Sequence, residues 1–107
     1  MNVHSIYTAG GKDLILEYIM SLSKPEIIDG LSVLKYFEND ELDKLNIQPW
    51  QGKIKEVYFF KHNRIFYVAI DGDNVQLLHA CRKQKNKTEK KDADLIIKRA
   101  KELEINV

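Results

Sequence analysis

Arg64, the pair Lys53 and Lys55, and the basic run from Arg82 to Lys91 are the residues of this 107-residue chain best suited to chemistry. Ammonium and guanidinium groups hold phosphate, and the planar guanidinium does so with fixed geometry. Lys53 and Lys55 stand two apart at the start of an expected strand, so they project from one face. Arg64 opens the next strand. The run RKQKNKTEKK carries six basic residues and one acid between a strand and a helix, where an exposed loop can meet a polyanion. Each feature has a plainer alternative. Edge-strand lysines discourage aggregation, an arginine at a strand end can pair with an acid, and a basic run can be only a solvated loop. Three basic clusters on one sheet together point to a groove for RNA. In strict two-strand register the Lys53–Lys55 end lies away from Arg64, and only twist and curvature of the sheet would bring them together.

Other chemistries lack their signatures. No Gly-rich phosphate loop, HExxH, CxxC or GxSxG pattern is present. His4, His62 and His79 are scattered, and a histidine among apolar strand residues, as His79 is, fits a structural role better than a catalytic one. Cys81 is the only cysteine, so no internal disulfide forms, and its surroundings have no zinc-ligand spacing. That suits a reducing compartment. The first residues do not read as a secretory signal, and no apolar run approaches the roughly 18 residues that span a bilayer. A soluble, cytoplasmic protein without a membrane partner is expected. The net charge of +1 hides an asymmetry: Met1 to Gly52 holds four lysines against eight acids, and Lys53 to Val107 holds thirteen basic residues against eight acids. A basic second half again points to a polyanion.

These residues need a scaffold, and hydrophobic spacing supplies one. Val3 to Tyr7 reads as a short edge strand, broken by Gly10 and Gly11. Lys12 to Leu22 reads as a helix, because Leu14, Ile15, Tyr18, Ile19 and Leu22 recur three and four apart. A second helix opens after Ser23 with Pro25 in its first turn, and Ile27, Ile28, Leu31, Leu34 and Phe37 line one face. The short connection makes the two an antiparallel hairpin of helices. Asn39 to Gly52 reads as acidic, then irregular. Ile54 to Phe60, Arg64 to Ile70 and Val75 to Cys81 are rich in β-branched and aromatic residues and predict an antiparallel meander. The second of these is apolar on both faces after Arg64, as a strand covered on both sides must be. In the final helix Thr88 is the expected cap, Glu89, Asp92 and Asp94 sit near the positive end, and Lys98, Arg99 and Lys101 near the negative end. The expectation is one α+β domain over residues 1–107: an N-terminal helical hairpin packed on an antiparallel sheet, with a C-terminal helix.

Three stretches carry a resemblance. Tyr58 to Tyr67, YFFKHNRIFY, resembles the "yRifY" hairpin of RelE/HigB-type toxins. Leu77 to Lys91, LLHACRKQKNKTEKK, resembles the "LLHgFxKKtqkTPxxE" stretch of the phage-derived HigB-like branch. Asp92 to Leu103, DADLIIKRAKEL, is similar to that branch's terminal helix, with Arg99 at the matching Arg. The chain departs from the pattern where the branch has Glu-Leu-Arg and this sequence has Glu56-Val57-Tyr58. It departs again at Cys81 for Phe, Gln84 for the second Lys, and Glu89 for Pro.

The resemblance implies a RelE-like toxin that cleaves mRNA on the ribosome, and a HigA-type helix-turn-helix antitoxin as its partner. It matches Lys53 and Lys55 to the family's Lys-x-Lys, Arg64 to the hairpin Arg, and Lys83 to the basic residue after the last strand. In such cleavage the 2′-OH attacks the adjacent phosphate, which requires a base, cations around the developing charge, and an acid, but no metal or cofactor. Arg64 then stabilises charge. Lys55 is the candidate base, a role that needs neighbouring cations to disfavour its charged form. Lys83 or Arg82 faces the leaving group. Lys53, Lys61, Lys85 and Lys87 hold the messenger or ribosomal backbone, and Tyr58 or Tyr67 stacks on a base. Two alternatives stay open: a same-fold toxin that poisons gyrase, and a non-catalytic RNA-binding regulator.

Overall fold

The computed structural model describes residues 1–83 and 87–104. Asp13 starts the first helix, α1 (Leu14–Met20), by accepting hydrogen bonds from the N–H groups of Ile15 and Leu16. The second, α2 (Lys24–Glu38), carries Pro25 in its first turn, where a missing N–H costs nothing. The two helices pack closely at Gly30. A β-carbon there would stand 3.0 Å from side-chain atoms of both Ile19 and Phe59.

Five strands form one sheet: β1 (Asn2–His4), β2 (Asn46–Gln51), β3 (Ile54–Phe59), β4 (Asn63–Ala69) and β5 (Asn74–Arg82), in the order β1-β5-β4-β3-β2. The meander of β3, β4 and β5 is antiparallel, as expected, but the sheet is mixed, because β1 runs parallel to β5 with Val3 opposite Val75. The stretch expected to be irregular supplies a short 3-10 turn (Leu42–Lys44) and the whole of β2. Pro49 lowers the strand signal there, yet a sheet edge is where proline is tolerated.

Both faces of β4 are covered. Ile65 and Tyr67 join Ile15, Ile19, Val33, Phe37, Val57 and Leu77 in the core under the helical hairpin. Phe66 and Val68 join Ile54, Leu78, Ile96 and Ala100 under α3 (Lys90–Glu102). Between Phe66 and Tyr67 the β4–β5 register slips: Phe66 pairs with His79, and Tyr67 with Leu77. The extra residue is a β-bulge, and it reverses the facing of every later residue of β5. Ala80 therefore packs under the hairpin and Cys81 against the α3 core.

Thr88 does not cap α3. Glu89 holds the N-cap position without a side-chain cap bond, and the Thr88 hydroxyl instead accepts from Trp50 Nε1 at 3.0 Å. Trp50 packs edge-on against Phe66, so this contact fastens the β5–α3 connection to the far edge of the sheet. Among the described residues no helix is long and apolar enough to cross a membrane.

Candidate functional site

The α3 face of the sheet carries a charged cluster beside its apolar core. Tyr58 and Arg64 are direct partners on β3 and β4, and Glu56 lies two residues before Tyr58 on the same face. The Arg64 guanidinium carbon sits 3.5 Å from the centre of the Tyr58 ring, a close cation–π stack. Arg64 Nη1 donates to the carbonyls of Lys61 at 3.1 Å and Asn63 at 3.0 Å, which fixes the group. Lys83 follows β5, and its backbone N–H donates to the His62 carbonyl at 2.7 Å. That places its Nζ 3.3 Å from Glu56 Oε1 and 6.0 Å from the Tyr58 ring centre.

Glu56, Arg64 and Lys83 are buried, with exposures of 3%, 7% and 7%. Burying charge costs several kcal/mol per ion unless partners compensate fully. Here they do not. Arg64 Nε stands 4.0 Å from Glu56 Oε1, and among the described residues neither Arg64 Nε nor Glu56 Oε2 has a hydrogen-bond partner. Two cations share one carboxylate, so positive charge is left over where water is largely excluded. Such a cluster has the charge and the open hydrogen-bonding capacity to take an anion. The adjacent Glu56 carboxylate, and then burial, raise the Tyr58 pKa above the ordinary phenol value, against the opposing pull of Arg64. Tyr58 is a neutral donor.

The structure separates the other sequence-derived candidates from this cluster. Lys55 pairs directly with Tyr67, whose side chain lies in the core under the hairpin, so Lys55 is on the opposite face from Arg64. Lys53 lies exposed in the turn between β2 and β3, at the far end of the β3–β4 pair. Curvature does not bring either to Arg64. Arg82 points to the hairpin side and forms a 2.6 Å ion pair with Glu26 of α2. Asn63 and Ser23 also donate to Glu26, and with Arg82 they hold its carboxyl below the ordinary range. Lys61 and Lys87 are exposed. Tyr58 offers only one ring face to a base, since Arg64 covers the other, and Tyr67 is buried. Lys85 lies outside the described residues.

Glu56 is the member of the cluster that sequence reasoning passed over. Its signal was present: a carboxylate in a strand that is otherwise buried must find a cation. Asp92 does more than supply the helix-end charge expected of it. It accepts from His79 Nε2 at 2.8 Å, while Arg99 Nη1 donates to His79 Nδ1 at 3.2 Å and to the Leu78 carbonyl at 2.8 Å. His79 also stacks on Phe66, and burial, opposed by Asp92, lowers its pKa below the usual value.

His79, Cys81 and Asp92 bring three potential metal-ligand atoms within 4.8 Å of one another. Their hydrogen bonds argue against a metal centre. Arginine only donates, so His79 Nδ1 is an acceptor and the ring proton is on Nε2, the nitrogen a metal would need. Burial, with Asp92 and Glu56 nearby, pushes the Cys81 thiol up to about 12, so it is neither a ready ligand nor a nucleophile.

Residues 17–101 match the family model described as Phage derived protein Gp49-like (DUF891). The match begins within α1 and runs through α2, β2 to β5 and nearly all of α3. No curated protein matches the chain.

Proposed function

The chain belongs to the Gp49-like family of phage-derived proteins, a family associated with the toxins of toxin–antitoxin systems, and on that premise we propose that it is a RelE-type mRNA endoribonuclease of the HigB-like branch, acting on the ribosome. The observation that carries this reading is the half-satisfied pair of buried cations, Arg64 and Lys83, around one carboxylate. In the reaction the 2′-OH gives its proton to water as its oxygen attacks the neighbouring phosphorus. The P–O5′ bond breaks and leaves a 2′,3′-cyclic phosphate and a 5′-OH. Arg64 and Lys83 meet the charge that builds on the phosphorane oxygens, which is the largest single contribution available to a site of this kind. The Lys83 ammonium also faces the leaving oxygen as a proton donor. Glu56 is a positioning residue that holds both cations toward one point. Lys55 cannot share their task, being on the other face. It joins Lys53, Lys61, Lys85 and Lys87 as contacts to the messenger or ribosomal backbone, while Arg82, tied to Glu26, braces the sheet.

The sheltering of the cations supports dependence on the ribosome. With side-chain exposures of 9% for Arg64 and 6% for Lys83, a free strand meets little of either, whereas a strand held in place can be presented in one geometry. A HigA-type helix-turn-helix antitoxin would neutralise the chain in a cytoplasmic setting.

The test is to induce the protein without a partner and map 5′ ends on a translated reporter mRNA. Codon-phased cuts are expected. Arg64→Ala and Lys83→Ala should each lower cutting about 100-fold or more, and Lys55→Ala far less. Growth arrest with intact mRNA and broken DNA would instead indicate a gyrase-type target. No arrest and no cutting would leave a non-catalytic RNA-binding regulator.

A further inference from the structure

Between the end of β5 and the start of α3 lies a cavity of about 300 Å³, lined by Cys81, Lys83, Lys87, Thr88, Glu89 and Asp92 among others. Its size is at the small end of ligand sites. Lys83 belongs both to this wall and to the Arg64 cluster, so the two spaces adjoin at one residue. We propose that the cavity is a guanine-selective subsite for the nucleotide whose phosphate is held at Arg64 and Lys83. The proposal rests on the reading of that cluster as an RNA-phosphate site.

The polar groups of the wall divide into donors and acceptors. Asp92 is anchored through one oxygen: Oδ1 accepts from His79, which Arg99 holds in the tautomer that donates through Nε2. No hydrogen bond holds its second oxygen among the described residues. Glu89 brings a second, exposed carboxylate from the N-cap position of α3, where it makes no capping bond and only a long 3.8 Å ion pair with Lys91. On the donor side, the Thr88 oxygen already accepts from Trp50, so its own proton is available to a ligand. Lys87 supplies a cation. The Watson–Crick edge of guanine presents one acceptor, O6, followed by two neighbouring donors, N1–H and N2–H₂. Adenine and cytosine each follow one donor with an acceptor, and uracil has a single donor between two acceptors. Two carboxylates beside the Thr88 hydroxyl and the lysines Lys83 and Lys87 match that set of one acceptor and two donors, which the other three bases lack. Single-stranded RNA is commonly read this way, through the Watson–Crick edge of an unstacked base. A wrong base would set an acceptor or nothing against the half-buried Asp92 carboxylate, which is why such sites discriminate.

The test uses the full chain and the 3′-monophosphates of guanosine, adenosine, cytidine and uridine, titrated by calorimetry and by NMR shifts. The guanosine nucleotide should bind at least about tenfold tighter than the other three, with shifts at Thr88 and Asp92. Glu89→Gln and Asp92→Asn should each reduce that advantage to about threefold or less, while the weaker affinity for the uridine nucleotide persists. Glu89 is exposed, so its variant is expected to fold even if the Asp92 variant does not. Equal affinity for all four nucleotides, or an undiminished guanine preference in Glu89→Gln, would overturn the subsite. These titrations need no ribosome and no cleavage. Guanine-selective binding with intact mRNA would sink the nuclease reading and leave the subsite standing. Cut mRNA with no nucleotide preference would do the reverse.

Discussion

At the scale of single residues the site is an imbalance of charge. Among the described residues Glu56 is the only acid between Arg64 and Lys83, and it leaves Arg64 Nε without a hydrogen-bond partner. Replacing it with Gln keeps the shape and removes the charge, which leaves two sheltered cations facing each other. Glu56→Gln should lose about 3 kcal/mol of stability, read from urea unfolding. A neutral effect would mean that water screens the cluster far more than its burial indicates. His79 gives a second residue-scale expectation. Burial lowers its folded pKa below 6.5, so above that pH the ring is neutral in both folded and unfolded chains and its contribution is fully present. As the pH falls below about 6.5 the unfolded chain takes up the proton first, and stability is lost progressively toward the folded pKa. Thermal midpoints should decline over that range, and His79→Phe should flatten the decline. The sequence made Arg64 and Lys83 legible as candidate phosphate-binding cations, because charge type and position relative to strands are local properties. It did not show that Lys55 is turned away, since that depends on the partner across the strand, nor that Glu56 is the counter-ion.

At the scale of elements, close approach and register decide what each segment can do. Gly30 is the point where α1, α2 and β3 meet, and its would-be neighbours Ile19 and Phe59 are both buried. An alanine there gains up to about 1 kcal/mol of helix propensity. It must also displace two core side chains, at a cost of about 1–3 kcal/mol. Gly30→Ala should therefore be destabilising on balance, by about 1 kcal/mol, in chemical denaturation. An increase in stability would show that the hairpin can move off the sheet at no cost. The helices and the meander were readable from periodicity, since each buries one stripe or both faces. β2 was not, because Pro49 and the polar residues Asn46, Gln48 and Gln51 leave it half a strand pattern, and pairing with β3 overrides that weak propensity. The cap expected at Thr88 failed for a tertiary reason: its hydroxyl is engaged by Trp50, 38 residues away in sequence.

At the scale of the whole molecule, the sheet is a wall between two cores, and β4 is built into both. Amide hydrogens of Ile65 to Val68 should exchange slowest in the molecule, and those of β2 markedly faster, in native-state hydrogen exchange. Early exchange of β4 would mean that the two cores open independently. The bulge opposite Phe66 also settles how the two sides of this wall are supplied with cations. It hands Arg82 to Glu26 on the hairpin side and Lys83 to Glu56 on the α3 side. Were every residue of β5 kept but paired without the bulge, those assignments would exchange: Cys81 would fall opposite Asn63, the guanidinium now spent on bracing would turn to the α3 side, and the ammonium to the hairpin side. Spacing along β5 is thus as much a part of the site as the side chains themselves, and a relative of this protein that lacks the bulge would have to carry its basic residue one position away to present the same chemistry.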